Sequence, residues 1–427
     1  MIDIKQLRVA PDRVRQALGR RRRADLDKRL DDILRDDQDW RRLVQHTEKL
    51  KADLNKASAE VARLKRAKED AGPAMTGLKD LSDSIKAGDA ELREYEARIQ
   101  DQLLQIPNVP LPDVPDGDAA SNKIVGEWGK PTKLSFNAKP HWELGASLGI
   151  LDLERGAKVS GSGFPMFIGS GAKLVRALIT FMLDIHTTEH GYVEIAPPLL
   201  VNRASAQGTG QLPDLENNMY VTEDGLYLVP TAEVPVTNVH RDEVLAAAEL
   251  PKTYCAYTPC FRREAGAAGK DTRGILRVHQ FDKVEIVRLC RPDDSPAEHE
   301  TILRHAQVIL ERLELPYRTV ALSTGDMGFS SAKTYDLEAW AAGVGAWLEV
   351  SSASTFTDFQ ARRANIRYRP RPDAKPEFVH TLNASGVALP RTLIALLENN
   401  QQADGSVRIP KALVPYFGRD RITPQAS

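Results

Sequence analysis

Apolar residues recur in steps of three and four along two neighbouring stretches near the start of the chain. The first stretch contains Trp40, Leu43, Thr47, Leu50, Leu54, Ala57, Val61 and Leu64, and the second contains Leu78, Leu81, Ile85, Gly88, Leu92, Tyr95 and Ile99. This heptad spacing predicts two α-helices, each with one apolar seam. Gly72, Pro73 and Gly77 interrupt the pattern, so we expect the helices to fold back as an antiparallel coiled-coil arm over about residues 40–105.

The helical pattern ends at a proline-rich segment. Residues 106–117, IPNVPLPDVPDG, contain four prolines, a density that no helix tolerates. We therefore expect a helical domain at residues 1–106, a proline-rich linker at 107–120 and a second domain at 121–427.

In the second domain, short apolar runs cluster instead of alternating with helices. Strands are expected near residues 192–196, 226–229, 254–261, 317–322 and 346–350, and helices near 171–190, 297–313 and 392–399. This order favours an α+β domain on an antiparallel sheet flanked by helices over a doubly wound fold. Neither the GxGxxG nor the GxxxxGK[ST] phosphate-binding pattern occurs in the sequence.

The composition, with 42% hydrophobic and 27% charged residues, is that of a globular protein. The three cysteines (Cys255, Cys260 and Cys290) are too few for a disulfide framework, and no second Cys/His pair lies at zinc-site spacing, so we expect no zinc. No apolar run approaches the length of a membrane span, and no signal peptide is recognisable at the N-terminus. We expect a cytoplasmic protein without a membrane partner.

Basic residues concentrate in two places, although the net charge is only −1. Residues 49–68 carry seven basic and two acidic side chains. They form either ordinary coiled-coil flank charge or a surface that follows the phosphates of a nucleic acid. Arg20 to Arg23 form either a solvated helix end or a second phosphate contact.

Candidate chemistry begins between Cys260 and Glu285, in the segment CFRREAGAAGKDTRGILRVHQFDKVE. Two apolar-alternating arms flank a polar loop, which predicts a long β-hairpin. Cationic and acidic side chains occupy its arms, a combination suited to a ligand that bears both phosphate and amine groups.

Three further polar groups interrupt predicted strands or begin the last helix. They are Thr231-Ala232-Glu233, Glu349-Val350-Ser351-Ser352, and the set of Asn383, Ser385 and Arg391. Alternation places Glu349 and Ser352 on opposite faces of a strand unless the strand bulges. The acids are suited to an amine or Mg²⁺ and the arginines to phosphates, which indicates nucleotide-dependent activation of a small zwitterion.

Several segments in this order resemble the seryl-tRNA synthetases, a class II aminoacyl-tRNA synthetase family. They are GTGQLPDLENNMY, TAEVPVTN, FRREAG, DTRG, HQF, GDMGFSSAKTYDLEAW, SSASTFTDFQARR and TLNASGVALPRTL, and the resemblance runs from residue 1 to about residue 416. It implies a class II catalytic domain that activates L-serine with ATP to seryl-adenylate and pyrophosphate. The serine then passes to the 3′ end of tRNA(Ser), with tRNA(Sec) as a further candidate acceptor.

The resemblance also implies residue roles. Arg262 would bridge the ATP α-phosphate and the serine carboxylate, Glu264 would bind the adenine end, and Phe281 would stack on the ring. Glu349 and Ser352 would hold Mg²⁺, and Arg391 would clamp the γ-phosphate; Arg262, Glu349 and Arg391 are thus the candidate catalytic residues. The serine pocket would comprise Thr231, Ala232, Glu233, Arg262, Glu285, Asn383 and Ser385. The ATP site would add Arg263, Val278, Val350 and Ser351.

Other implied features concern partners. The long variable arm of the tRNA would lie on the helical arm, with candidate contacts at Lys49, Lys56, Arg63, Lys65 and Arg66. Helix 171–190 with Pro197 would form the homodimer element, and the loop 265–272 would close over ATP or the tRNA acceptor end. Strand alternation predicts that the Arg263 guanidinium turns away from the α-phosphate, even though the residue lies in the ATP-binding motif.

Several residues depart from the usual family pattern. They are Arg263, Val278, Ser323, Trp347, Leu348, Ala353, Thr355, Ala384 and Pro390. Two interpretations stay open: neutral sequence drift, or specialisation as an inhibitor-resistant paralogue. Two other functions stay open: a serine-activating enzyme with a non-tRNA acceptor, and a non-catalytic tRNA-binding relative.

Overall fold

A computed structural model of the chain describes residues 1–265 and 273–424. Its internal contacts divide the chain into two compact units. The smaller contains residues 2–19 and 23–106, and the larger contains Met1, residues 20–22 and residues 107–427. Within the described ranges, no helix is long and apolar enough to cross a membrane.

The smaller unit is helical. Its helices are α1 (Ile4–Val9), α2 (Pro11–Gly19), α3 (Leu26–Ala67) and α4 (Gly72–Leu104). Side chains near the start of α3 meet those near the end of α4, as in the hydrogen bond from Arg98 to Asp36 (2.8 Å), so the two helices are antiparallel. The predicted helical pair is confirmed, although α3 begins 14 residues before the predicted start at residue 40.

The break between the two helices is narrower than the sequence indicated. Lys68 ends α3 in the left-handed conformation, at φ 56°. Gly72, Pro73 and Gly77, which were expected to form the break, all lie within α4. Proline is tolerated there because the N–H groups of a helix's first turn have no intrahelical partner.

The seam of the pair contains one close backbone approach. Thr47 on α3 is 1% exposed, and a Cβ added to Gly88 on α4 would lie 2.8 Å from its Oγ1. Leu50 and Leu54 stay half-buried, because two helices alone cannot enclose both sides of a seam. Tertiary packing therefore stabilises this pair less than it stabilises a bundle core.

Arg20 and Arg21 belong to the larger unit and are structural. Arg20 donates to the carbonyl oxygens of Leu111 (3.0 Å) and Val114 (2.6 Å). Arg21 is 6% exposed and donates to the carbonyl oxygen of Asn108 at 3.0 Å. Both interpretations offered for this arginine run are therefore wrong for these two residues, which hold the proline-rich segment.

The larger unit contains an eight-stranded sheet with the strand order β1-β10-β11-β12-β15-β9-β8-β4, antiparallel except for the β4–β8 pair. The strands are β1 (Lys123–Trp128), β2 (Leu151–Asp152), β3 (Met166–Phe167), β4 (Val193–Glu194), β5 (Leu200–Val201), β6 (Tyr227–Leu228), β7 (Val244–Ala246), β8 (Lys252–Phe261), β9 (Gln280–Cys290), β10 (Tyr317–Ala321), β11 (Lys333–Ala341), β12 (Ala346–Thr357), β13 (Arg367–Arg369), β14 (Glu377–Phe378), β15 (His380–Ala388), β16 (Val407–Arg408) and β17 (Arg421–Ile422). The predicted α+β class is confirmed.

Helices cover both faces of this sheet. They are α5 (His141–Ser147), α6 (Leu153–Ser160), α7 (Ser170–Thr188), α8 (Arg203–Thr209), α9 (Glu233–Thr237), α10 (Ser295–Arg312), α11 (Phe359–Ala364), α12 (Leu389–Asn399) and α13 (Val414–Phe417). Strand β9 alternates between two cores: Val284 and Ile286 pack in the larger core, whereas Val287 and Leu289 pack in the smaller one with α9 and α11. The strand is therefore buried on both faces.

Candidate active site

Strands β8 and β9 form the predicted hairpin. They pair antiparallel, with Cys260 opposite Phe281 and Phe261 opposite Gln280. The Arg262 N–H extends the pairing by donating to the His279 carbonyl at 2.9 Å. Residues 266–272 lie outside the described residues, and so does most of the loop that was expected to close over ATP.

A cavity of about 450 Å³ lies over the central strands. Of the predicted serine and ATP residues, it is lined by Thr231, Glu233, Arg262, Glu264, Val278, Phe281, Glu285, Glu349, Val350, Ser351, Ser352, Asn383, Ser385 and Arg391. Ala232 is wholly buried and does not reach the cavity. Arg263 is exposed and also lies outside the lining, while its backbone N–H donates to the Asn218 carbonyl at 2.9 Å.

A bulge in β12 brings Glu349 and Ser352 together. Ser351 pairs with Leu337 of β11 and Glu349 pairs with the next residue, Glu338. Val350 therefore has no partner on β11 and is the bulged residue. The bulge resets the alternation of side chains. Ser352 Oγ consequently lies 3.3 Å from Glu349 Oε1. Without the bulge, alternation would place the two side chains on opposite faces of the strand.

At one end of the cavity, Glu285 is the centre of a buried polar network. Asn383 Nδ2 donates to its Oε1 at 2.8 Å, and Ser385 Oγ lies 3.4 Å from its Oε2. Lys283 forms an ion pair with Glu285 at 2.6 Å and donates to Thr231 Oγ1 at 2.8 Å. Lys283 was not singled out from the sequence, although its position two residues before Glu285 places both on one strand face.

Glu233, the first residue of α9, is the second buried acid at this end. Burial, reinforced by the nearby Glu285 charge, raises its pKa to about 7, against a hydrogen bond from Gln360 that lowers it. Gln360 Nε2 donates to Glu233 Oε1 at 2.6 Å, and Gln360 Oε1 accepts from Thr381 at 2.6 Å. No local pattern marks Gln360, because it bonds to Glu233 from α11, 127 residues along the chain.

Three arginines also line the cavity. The Arg262 guanidinium lies 5.1 Å from the Phe281 ring centroid. Arg277, which sequence reasoning missed, lines the cavity and forms an ion pair with Glu264 at 3.2 Å. Arg391 donates to the Glu349 carbonyl at 2.9 Å and to its carboxylate at 3.2 Å.

The oxygen atoms near Glu349 suit a hard cation. Glu349 and Ser352 offer carboxylate and hydroxyl oxygens, which Mg²⁺ prefers. Behind them on β11, opposite Ser352, lies Asp336, whose Oδ1 is buried without a hydrogen-bond partner among the described residues. Burial, with the Glu349 charge as the next cause, raises the pKa of Asp336 well above its usual value. A cation next to these groups would relieve that electrostatic cost.

The unusual residues occupy different environments. Val278 and Pro390 line the cavity, and Pro390 fits the first turn of α12. Ala353 on β12 and Ala384 on β15 are opposite each other in the strand pair, and both are buried. Trp347 packs edge-on against Trp340 at 5.4 Å. No single surface unites them.

In the smaller unit, the five candidate tRNA-binding residues are exposed along α3. Lys56 and Arg63 pair with acids of their own helix, at 3.6 Å from Asp53 and 2.9 Å from Glu60. Lys49, Lys65 and Arg66 have no acidic partner among the described residues, although Arg66 donates to the Ala62 carbonyl at 3.2 Å.

Two family models match the chain. The Seryl-tRNA synthetase N-terminal domain matches residues 1–110, and the tRNA synthetase class II core domain (G, H, P, S and T) matches residues 219–400. A serine–tRNA ligase of Gemmatimonas aurantiaca is 54% identical over 421 residues, covering 98% of this chain and 99% of the relative. A serine–tRNA ligase of Geobacillus kaustophilus is 53% identical over 425 residues, covering 99% and 100%.

Solved structures give the same family. The crystal structure of seryl-tRNA synthetase from Pyrococcus horikoshii complexed with ATP has a TM-score of 0.95 and 40% identity, and the comparison covers 100% of both chains. The cytoplasmic serine–tRNA ligase of Naegleria fowleri in complex with AMP has a TM-score of 0.86 and 29% identity, covering 98% of this chain and 96% of that one.

Proposed function

Because the chain belongs to the seryl-tRNA synthetase family and joins serine to tRNA with ATP, we propose that the cavity described above is where serine is activated. The observation that carries this proposal is that one cavity is lined by the buried carboxylates of Glu233 and Glu285 together with three arginines and an aromatic ring. The comparisons give no support to the non-tRNA acceptor or to the non-catalytic relative.

Serine is assigned to the end that contains Glu233 and Glu285. Two carboxylates suit its ammonium and hydroxyl groups, and Asn383 and Ser385 fix the Glu285 side chain. A Glu285 bond to the serine hydroxyl would favour serine over alanine by up to about 10⁴-fold, since alanine cannot make that bond. Threonine must instead be excluded by the size of the pocket.

ATP is assigned to the opposite end. Phe281 offers a ring for stacking, and Glu264 faces the adenine end. Arg262 lies beside the Phe281 ring and its charge also acts on Glu233, so it can contact both the α-phosphate and the serine carboxylate. Arg391 forms an ion pair with Glu349 at 3.2 Å in this structure. When ATP binds, the γ-phosphate would replace Glu349 as its partner, because phosphate carries more negative charge.

Mg²⁺ is assigned to Glu349 and Ser352. Bound there with ATP, it would neutralise phosphate charge and hold the triphosphate in one geometry.

The chain's own residues act by placing the reactants and their charges. In the first step, a serine carboxylate oxygen forms a bond to the α-phosphorus while the bond to pyrophosphate breaks, and Arg262 offsets the charge on the oxygens. In the second, a hydroxyl of the terminal tRNA adenosine attacks the seryl carbonyl, and AMP leaves. Both steps depend on alignment and cationic groups more than on a protein base.

The exposed bases of α3 are assigned to the tRNA backbone. The spaced Lys49, Lys65 and Arg66 suit phosphate contacts that recognise the shape of a long variable arm and not its sequence. Helix α7 with Pro197 is assigned to a homodimer contact, and the cytoplasm is the expected location because tRNA is charged there. Acceptance of tRNA(Sec) would follow if it presents a similar arm.

The test is ATP–pyrophosphate exchange across the amino acids, followed by charging of tRNA(Ser) with and without residues 40–105. Exchange should require serine. Deletion of the helical pair should abolish charging and leave exchange largely intact. Equal charging by both forms contradicts the role of α3 and α4, and exchange without serine dependence contradicts the pocket assignment.

A further inference from the structure

We propose that His141 is a positioning residue for the nucleotide end of the cavity, because it joins helix α12 to the wall segment Gly274–Val278. This inference rests on the function proposed above and assigns a role to a residue outside the motifs that carry the family resemblance. His141 is the first residue of α5, and its side chain is wholly buried.

The two ring nitrogens of His141 have different partners. The backbone N–H of Ile275 lies 3.1 Å from Nε2, which must therefore accept and carry no proton. The proton is on Nδ1, which donates to Glu398 Oε1 at 2.9 Å. A buried neutral imidazole thus connects two elements that are far apart in sequence.

Glu398 is held from several sides. Its Oε1 also accepts from the His141 backbone N–H at 2.8 Å. Its Oε2 accepts from the N–H groups of Gly343 at 2.8 Å and Val344 at 2.9 Å. The carboxylate is wholly buried and fully bonded, so it is a fixed support for the imidazole.

The segment on the other side of His141 forms a wall of the cavity. Ile275 and the three residues after it all line the cavity. Gly274 has φ 70°, and a Cβ there would lie 2.1 Å from His141 Nε2, so only glycine permits this contact. The neighbouring Trp142 ring lies 4.5 Å from the Arg273 guanidinium. His141 and Trp142, at the start of α5, therefore contact the residues that lead into the wall segment.

Helix α12 supports the same segment from both of its ends. Near its start, Arg391 Nε donates to the Leu276 carbonyl at 3.4 Å. Near its end, Glu398 acts through His141 on Ile275. The second contact is shorter and wholly buried. Losing it would leave the Arg391–Leu276 bond as the one hydrogen bond between the wall and α12 among the described residues, in addition to apolar packing. ATP affinity should fall as a result.

The variant His141→Asn separates this role from simple stability. An asparagine amide can occupy the Nδ1 position and still donate to Glu398, but it leaves the buried Ile275 N–H without an acceptor. In ATP–pyrophosphate exchange we expect KM for ATP to rise about 5- to 10-fold, the effect of one unsatisfied buried N–H. KM for serine should stay within about twofold, because the hydrogen bonds of Glu233 and Glu285 to described residues do not involve this segment.

A control is His240→Gln, which weakens another histidine–glutamate pair in the same unit, one whose histidine is buried and whose glutamate is exposed. His240 Nδ1 lies 2.7 Å from Glu243, and its Nε2 lies 2.8 Å from the Tyr254 hydroxyl. This variant should lower Tm and leave KM for ATP unchanged. If both histidine variants raise the KM of ATP and serine together, the positioning role is overturned.

Gly274→Ala disturbs the same contact from the other side and keeps both His141 and Glu398 in the chain. It should raise KM for ATP by a similar factor, and an unchanged KM in either this variant or His141→Asn overturns the proposal. The wild-type enzyme tests the premise separately: absence of serine-dependent exchange refutes the pocket assignment whatever the variants do.

Discussion

The α3–α4 pair and the cavity of the larger unit use charged residues in opposite ways. On α3, Arg63 pairs with Glu60, three residues away, and both are exposed. In the cavity, Glu285 is 1% exposed and bonds to Asn383, 98 residues away. Exposed helical pairs act almost independently and contribute little each, whereas a buried network loses several contacts when one member is removed. The first region should therefore tolerate single changes that the second does not.

The largest expected effect is that of Glu285→Ala. It removes the carboxylate that holds Lys283, Asn383 and Ser385, and leaves a buried ammonium without its partner. We expect kcat/KM for serine in pyrophosphate exchange to fall at least about 10³-fold. Glu60→Ala is the control, since it also removes one ion pair and should leave exchange unchanged. Similar losses in both variants would contradict the comparison.

A smaller effect is expected from the bases of α3, and it should appear only with tRNA. Replacing Lys49, Lys65 and Arg66 by Gln should raise KM for tRNA about 10- to 100-fold. The slope of log KM for tRNA against log salt concentration should fall by about two. Serine activation should not change. Aminoacylation measured across a salt series tests this.

The comparator for that triple variant is Lys56→Gln with Arg63→Gln. These bases already pair with Asp53 and Glu60, so their phosphate contacts must compete, and the effect per residue should be smaller. An equal effect per residue would show that the local pairs do not matter to tRNA binding.

The same contrast explains what the sequence could predict of the fold. The α3–α4 pair follows from heptad spacing, because a helix is built from neighbours in sequence. Strands β11 and β15 were missed, although Tyr335, Leu337 and Ala339 alternate with polar residues in β11. Burial on both faces, as in β9, removes the period-two pattern.

Prediction of the site depended on motifs and not on geometry. Family resemblance led to Arg262, Glu349 and Glu285, and the cavity brings them together. The resemblance did not lead to Lys283, Gln360 or Arg277, whose roles depend on cross-strand register and on helix α11. The bulge at Val350 could not be derived either, because it is defined only by pairing with β11.

A third effect, about tenfold, is expected from pH at the serine end. Because burial raises the Glu233 pKa from 4.5 to about 7, the acid gains a proton as pH falls through 7. If the ammonium of serine binds the carboxylate form, KM for serine should rise by up to about tenfold per unit below pH 7, and KM for ATP should change less. Exchange kinetics between pH 6 and 8 measure both.

The sign for stability is the reverse. A carboxyl whose folded pKa exceeds its unfolded value favours the folded state at low pH, and that contribution is lost as pH rises through about 7. Glu233→Gln should therefore flatten the pH dependence of both Tm and KM for serine in this range. A serine KM that stays pH-dependent in the variant would assign the titration to another group.

The smallest effect is expected within the helical seam, at Gly88. Alanine there gains about 1 kcal/mol of helix propensity, but its Cβ would lie 2.8 Å from Thr47 Oγ1, an overlap that costs about 1–3 kcal/mol. Thr47→Ala removes the overlap without breaking a hydrogen bond to any described residue. Gly88→Ala should therefore destabilise the pair in the wild-type background and stabilise it in the Thr47→Ala background. Hydrogen exchange of α3 and α4 amides measures this coupling. Additive effects would show that the seam, unlike the cavity, lacks mutually dependent contacts even where its backbones approach closely.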